Sequence, residues 1–191
     1  VLPVPVIGAV GAGKTQFLSS GVVELQSQVE SLSGSLSPIS PVAESFLRAA
    51  AAAVSSGQRV AKTAWEDRPE GVPLILAMKG RELEVQLMDA AGENFVDWER
   101  SQGLGYIDTA EVLLFIFDPL ALPRVTEKMR VANKGGIVPI VQGDPEDSYA
   151  SVVDRLRAED VRLGSKSLAI VLTKLDVLRT LPGLGSLDPS D

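Results

Sequence analysis

The sequence predicts an α/β protein: a three-layer sandwich whose mostly parallel sheet of five strands has helices on both faces and one antiparallel hairpin strand at its edge. Three observations lead there. Continuous apolar runs at Val4–Ile7, Val112–Phe117 and Leu168–Leu172 lack alternation, as strands covered on both faces do. Segments of helical periodicity lie between them, the order of parallel strands joined by helical crossovers. Pro73–Met78 and Glu82–Met88 flank Lys79–Arg81, whose central Gly80 suits a hairpin turn.

Val4–Ile7 is short, β-branched and closed by Gly8, so it reads as a buried strand. After a Gly-rich stretch, Thr15–Glu30 repeats Phe17, Leu18, Val22, Leu25 and Val29 at helical spacing. Ser31–Pro41 is rich in Ser and Pro and reads as a flexible connection. Pro41–Val54 carries five consecutive alanines, strong helix formers, and stops near Gly57. Arg59–Gly71 has no period and reads as a loop. Val112–Phe117 is the central strand, ended by Asp118-Pro119. Ser148–Val161 reads as a helix opened by Asp147 or Ser148, with Val152, Val153 and Leu156 apolar. Leu168–Leu172 is a third buried strand. There is no internal repeat.

The chain has 191 residues, a length that favours one domain. Its 45% hydrophobic and 23% charged residues are those of a globular domain, not of a disordered chain. A net charge of −7 argues against general nucleic-acid binding, which rests on cation–phosphate attraction. Zero Cys excludes disulfides, thiol catalysis and Cys-ligated zinc, and zero His removes imidazole as base or ligand. Any chemistry falls to carboxylates, Lys, Arg, hydroxyls, backbone amides or a bound ion. The apolar runs are far shorter than the ~20 residues of a membrane span, and no signal peptide is visible. A cytoplasmic location is expected. The chain begins at Val, as a processed or excised piece would.

Three motifs carry the chemistry. Gly8-Ala9-Val10-Gly11-Ala12-Gly13-Lys14-Thr15 has the spacing G-x-x-x-x-G-K-[ST], placed between a strand and a helix. Its glycines let the loop curl so that N–H groups face a polyphosphate, Lys14 reaches the β- and γ-phosphates, and the Thr15 hydroxyl ligates Mg²⁺. Asp89-Ala90-Ala91-Gly92 follows the strand Glu82–Met88. A carboxylate there suits the Mg²⁺ shell, and the Gly92 N–H suits a γ-phosphate. Thr173-Lys174-Leu175-Asp176 follows Leu168–Leu172. Asp176 can accept from N1–H and the 2-amino group of guanine, a donor pair adenine lacks, with the Lys174 stem along the base.

Together these residues resemble the Ras-like GTPases of the translation-factor-related P-loop class, with the character of bacterial, multidomain-associated members. The resemblance runs from Val4 to about Leu178 and implies the P-loop NTPase fold. It implies that Gly8 and the backbone of Gly11, Ala12, Gly13, Lys14, Thr15 and Gln16 hold the phosphates of GTP or GDP. Thr15 and Asp89 hold Mg²⁺, Gly92 senses the γ-phosphate, and Thr173, Lys174 and Asp176 form the base site. The family's switch threonine, which ligates Mg²⁺ in the triphosphate state, is best placed at Thr63, with Ser55 or Ser56 as alternatives.

The sequence also departs from that pattern. The 75 positions from Lys14 to Asp89 exceed those of small Ras-like proteins, so an insertion at about 31–57 is expected. Glu93 stands where many members carry a water-orienting Gln, and it is either a weak catalytic group or a solvated switch residue. Val10 stands where Ras carries Gly and crowds an activator's arginine. The last base-contact loop, with the final strand and helix, is missing. Trp65 and Trp98, in the loop regions flanking the switches, are expected to face a partner, to form a lid or to pack on the core, and Phe95 is expected in the switch or the core. The expected activity is a switch that binds GTP and GDP with Mg²⁺, hydrolyses GTP slowly and engages a protein effector or regulator. Its rivals are a P-loop ATPase and a pseudo-GTPase docking module.

Overall fold

The computed structural model describes residues 1–57, 71–89, 105–132 and 143–181. Strand β1 (Leu2–Ile7) leads through the glycine-rich loop into helix α1 (Lys14–Ser31), strand β2 (Ser35–Pro38) and helix α2 (Pro41–Ser56). The hairpin strands β3 (Gly71–Met78) and β4 (Arg81–Asp89) follow, then the single-turn helix α3 (Tyr106–Thr109) and strand β5 (Val112–Phe117). A 3₁₀ turn (Pro119–Ala121), helices α4 (Pro123–Ala132) and α5 (Pro145–Ala158), strand β6 (Ser167–Leu172) and helix α6 (Leu175–Arg179) complete the order, with a second 3₁₀ turn before β6.

The sheet runs β2-β3-β4-β1-β5-β6. Pairs β4–β1, β1–β5 and β5–β6 are parallel, and β3 runs against both its neighbours. Alternate side chains of the central strands feed opposite faces. Val6 and Ile116 pack with Ala12 and Leu18 on the α1 side. Ile7, Leu113 and Phe115 pack with Ile107 of α3 and Val152 and Leu156 of α5. On the first side α2 lies along α1, with Ala43 and Ala50 against Val22 and Leu74. Sheet and two helical layers make the expected α/β three-layer sandwich. Among the described residues no helix is long and apolar enough to cross a membrane.

Local chemistry explains the boundaries. Ser40 caps α2 by accepting from the Ala43 N–H at 3.1 Å, Pro41 takes the first helical position, and left-handed Gly57 closes it. The β3–β4 turn is two residues, Lys79 (φ 53°) and Gly80 (φ 73°), a pair of left-handed conformations that matches strand twist.

Several expectations are corrected. The stretch 31–41 is not only a flexible connection. Its centre is β2, which pairs outside β3 and makes the sheet six-stranded among the described residues. Only Leu36 of β2 is buried, too little for a recognisable pattern. Helix α5 begins ahead of Asp147 and Ser148, because Asp144 accepts from the Glu146 N–H at 2.8 Å and Pro145 starts the helix. Helix α4 was absent from the expected order, since it buries only Val125 and Met129. Strand β6 is not a buried strand: Leu168, Ile170 and Leu172 are 44%, 63% and 47% exposed. It lies at the sheet edge, and an apolar run marks a strand without placing it within the sheet.

Helix α3 is pinned by charge. The Arg155 guanidinium of α5, 4% exposed, donates to both carboxylate oxygens of Asp108, one at 2.9 Å. Lys166 Nζ donates to the carbonyls of Ile107, Asp108 and Ala110, at the helix's carboxyl end. Burial pushes the Lys166 ammonium below its usual range, against the opposing pull of Asp108 and Glu111. Arg155→Ala leaves the Asp108 carboxylate without its guanidinium and should cost about 3 kcal/mol of stability. Urea unfolding checks this; an unchanged midpoint would show that the pair does not anchor α3.

Candidate nucleotide site

Four parallel strands, β4, β1, β5 and β6, end at one edge of the sheet, and each delivers a polar group or loop there. That edge, beyond the carboxyl ends of the strands, is where open α/β sheets bind ligands. The phosphate-type loop leaves β1 at Gly8. A Cβ built on Gly8 would stand 2.5 Å from the Ile116 carbonyl oxygen of β5, and its φ of +151° is foreign to L side chains. Gly11 (φ 75°) and Gly13 (φ 95°) are left-handed, and the Ala12 N–H donates to the Ala9 carbonyl at 3.2 Å. Gly13 caps α1, whose ladder opens with Phe17 N–H to Gly13 O at 2.8 Å. The amides of Lys14, Thr15 and Gln16 therefore precede the helical ladder, at the positive end of an 18-residue helix.

Lys14 is 7% exposed, and its Nζ donates to the carbonyls of Gly8 (2.9 Å) and Ala9 (3.1 Å). The ammonium thus sits against the loop it belongs to. Thr15 Oγ1 donates to Asp89 Oδ2 at 2.8 Å. Asp89 ends β4, and its pairing opposite Val6 of β1 brings it beside the loop. The Gln16 side chain instead donates to Ser20 Oγ at 3.4 Å on the exposed face of α1.

The second half of the cluster follows β6. Thr173 Oγ1 donates to the Ala12 carbonyl at 2.7 Å, with the Phe117 carbonyl at 3.3 Å. This bond joins loops 161 positions apart in the chain. Lys174 is left-handed (φ 54°) and caps α6, with its Nζ 2.6 Å from Asp118 Oδ2. Asp176 lies in the first turn of α6 with an exposed side chain. The structure thus brings together Gly8, Gly11, Ala12, Gly13, Lys14, Thr15, Asp89, Thr173 and Lys174, with Asp176 alongside. Thr63, Gly92 and Glu93, with Trp65, Phe95 and Trp98, lie outside the described residues.

A family model for Double-GTPase 2 matches residues 2–187 of the chain, both halves of the cluster included. The chain belongs to the Double-GTPase 2 family. No curated protein matches it. Membership makes this a GTPase domain, in keeping with its sandwich fold.

Two residues of the GTPase domain's site region escaped sequence reasoning. Asp118, directly after β5, is 2% exposed, and its Oδ1 accepts from the Leu120 N–H at 2.9 Å. Like Asp89 it closes a strand, but it lacks the spacing to a glycine that singled out Asp89, and Asp118-Pro119 read as a strand end only. Tyr106 of α3 buries a hydroxyl with no hydrogen-bond partner among the described residues. Burial pushes its phenol well above the ordinary range, the Asp89 charge adds to this, and Arg155 opposes it. No sequence pattern marked Tyr106.

The two glycines separate space from backbone strain. Gly8→Ala must part β1 from β5 and should cost about 2 kcal/mol or more. Gly11→Ala meets nothing within 4 Å among the described residues and should cost only the left-handed penalty of about 1 kcal/mol. Equal losses in urea unfolding would contradict the close approach of Gly8 to β5.

Proposed function

We propose that this domain binds GTP and GDP with Mg²⁺ and hydrolyses GTP slowly, as a conformational switch of the Ras-like, translation-factor-related kind. One observation carries the reading. The phosphate-type loop, Asp89 and the Thr173–Asp176 segment meet at one sheet edge, joined by the Thr15–Asp89 and Thr173–Ala12 hydrogen bonds.

The loop amides and the amino end of α1 favour a polyphosphate. Lys14 turns its ammonium from the Gly8 and Ala9 carbonyls toward the β- and γ-phosphates, exchanging neutral acceptors for charged ones. The Thr15 hydroxyl and Asp89 carboxylate are hard oxygen ligands side by side, the donor chemistry Mg²⁺ takes. Bound there, Mg²⁺ would neutralise charge between the β- and γ-phosphates. In this reading Gly92 senses the γ-phosphate, Thr63 ligates Mg²⁺ in the triphosphate state, and Glu93 is the residue that acts on the attacking water. Asp176 accepts the two guanine donors, and the Lys174 stem lies along the base. The switch loops engage an effector or regulator protein.

Guanine selection rests on the Asp176 carboxylate. Asp176→Asn places an amide at the 2-position of the purine, so GTP affinity should fall about tenfold and xanthosine triphosphate affinity should rise. Competition against a fluorescent guanine nucleotide measures the ratio; an unchanged ratio removes Asp176 from the base site and favours an ATPase.

Hydrolysis by the chain alone should be slow. Glu93 has acceptors only, and its charge opposes that building on the γ-phosphoryl oxygens. Ras-type switches with Gln turn over intrinsically at roughly 10⁻⁴ s⁻¹, and this domain should be no faster, with Mg²⁺ required. Single-turnover assay decides this; a rate near 1 s⁻¹ would reveal a built-in catalytic group.

A further inference from the structure

We propose that Asp118 is a positioning residue for the base side of the site: its buried carboxylate tethers the Lys174 ammonium and so holds the Lys174 stem in place for the purine. The proposal deepens the guanine-site reading and rests on it.

Both carboxylate oxygens of Asp118 are engaged. Oδ1 accepts from the Leu120 N–H at 2.9 Å, which fixes the plane of the group, and Oδ2 faces Lys174 Nζ at 2.6 Å. The Asp118 side chain is 2% exposed and that of Lys174 34%. A carboxylate this deeply buried is costly without a cation beside it, so the Asp118 carboxylate constrains where the ammonium rests. The Lys174 backbone is bent to suit, with φ 54°, a conformation that disfavours a side chain with a Cβ.

Three consequences follow from this geometry. The Lys174 charge is already matched by Asp118, so Lys174 acts toward a nucleotide through its stem and not as a phosphate cation. The stem is flanked in sequence by Thr173, bonded to Ala12 of the phosphate-type loop, and by Asp176 two residues on. A tethered stem has lost its rotamer freedom before a base arrives, which lowers the entropy cost of binding. Because an apolar stem contacts any purine face alike, the tether adds affinity without selecting guanine.

The test is a double-mutant cycle on the full chain: Asp118→Asn, Lys174→Met and the pair, with GDP affinity measured by calorimetry in Mg²⁺. Asn keeps an acceptor for the Leu120 N–H, and Met keeps a stem while removing the ammonium. Each single change should weaken GDP binding about tenfold, and the pair should be no weaker than either single, because one tether is lost once. The ratio of GTP to xanthosine triphosphate affinity should stay unchanged in all three, unlike that of Asp176→Asn. Losses that multiply in the pair, or unchanged GDP affinity with only a lowered unfolding midpoint, overturn the proposal and leave a structural ion pair. Should Lys174→Met fail to fold with its buried unpaired carboxylate, Asp118→Asn against the pair, which holds no such charge, still decides: equal affinity supports the tether and further loss in the pair refutes it. Asp176→Asn reports separately on the base site, so a shifted nucleotide ratio there, with a multiplicative cycle here, sinks the tether alone.

Discussion

The site depends on how closely β1 and β5 pass at Gly8. Strand β1 is hydrogen-bonded in parallel to β4 on one side and β5 on the other, so the carboxyl ends of all three lie at one edge. The loop can leave that edge only where β1 carries no Cβ, because the Ile116 carbonyl occupies the space. From there the rest is geometry. Val6 opposite Asp89 sets the carboxylate beside Thr15, and Thr173 N–H to Phe117 O at 3.0 Å extends the β5–β6 ladder up to the loop. The side chains at the edge are therefore held by strand pairing, a more exact support than a free loop provides.

A chain of net charge −7 is a poor magnet for a polyanion, and its site shows how that is compensated. Long-range attraction is not the device. Lys14 is buried within its own loop, and Lys174 is matched by Asp118, so neither makes a broad positive surface. For the proposed polyphosphate the means are local: backbone N–H groups, the amino end of α1 and the Lys14 ammonium. The domain's acidity is thus compatible with the proposed nucleotide recognition.

The parts legible in the sequence were those where one residue property fixes one structural role. Strand β5 matches its apolar run end to end, and α2 begins at the Pro41 that the sequence marks. The phosphate-type loop was legible because glycine spacing and a following Lys-Thr have few other uses. Elements whose stability comes from context were not legible. Strand β2 contributes one buried leucine and exists because β3 offers an edge to pair with. Helix α4 packs Val125 and Met129 against Leu178 and Leu181, residues more than 40 positions later that a local window does not see. Strand β6 shows the converse: its composition says buried, while its place at the edge exposes it.

The same distinction divides the site. Asp89 and Asp118 are each an acid closing a strand, on neighbours of β1, and the sequence singles out Asp89 through its spacing to Gly92, which Asp118 lacks. In three dimensions their partners separate them. Asp89 meets the Thr15 hydroxyl at the phosphate side, whereas Asp118 meets the Lys174 ammonium on the other side of β1. Between the two runs the Thr173–Ala12 hydrogen bond, which binds the base-side segment to the backbone of the phosphate-type loop. The phosphate and base halves of the proposed site are consequently one backbone-connected unit, linked by the Thr173 hydroxyl and flanked by the Asp89 carboxylate and the buried Asp118 carboxylate.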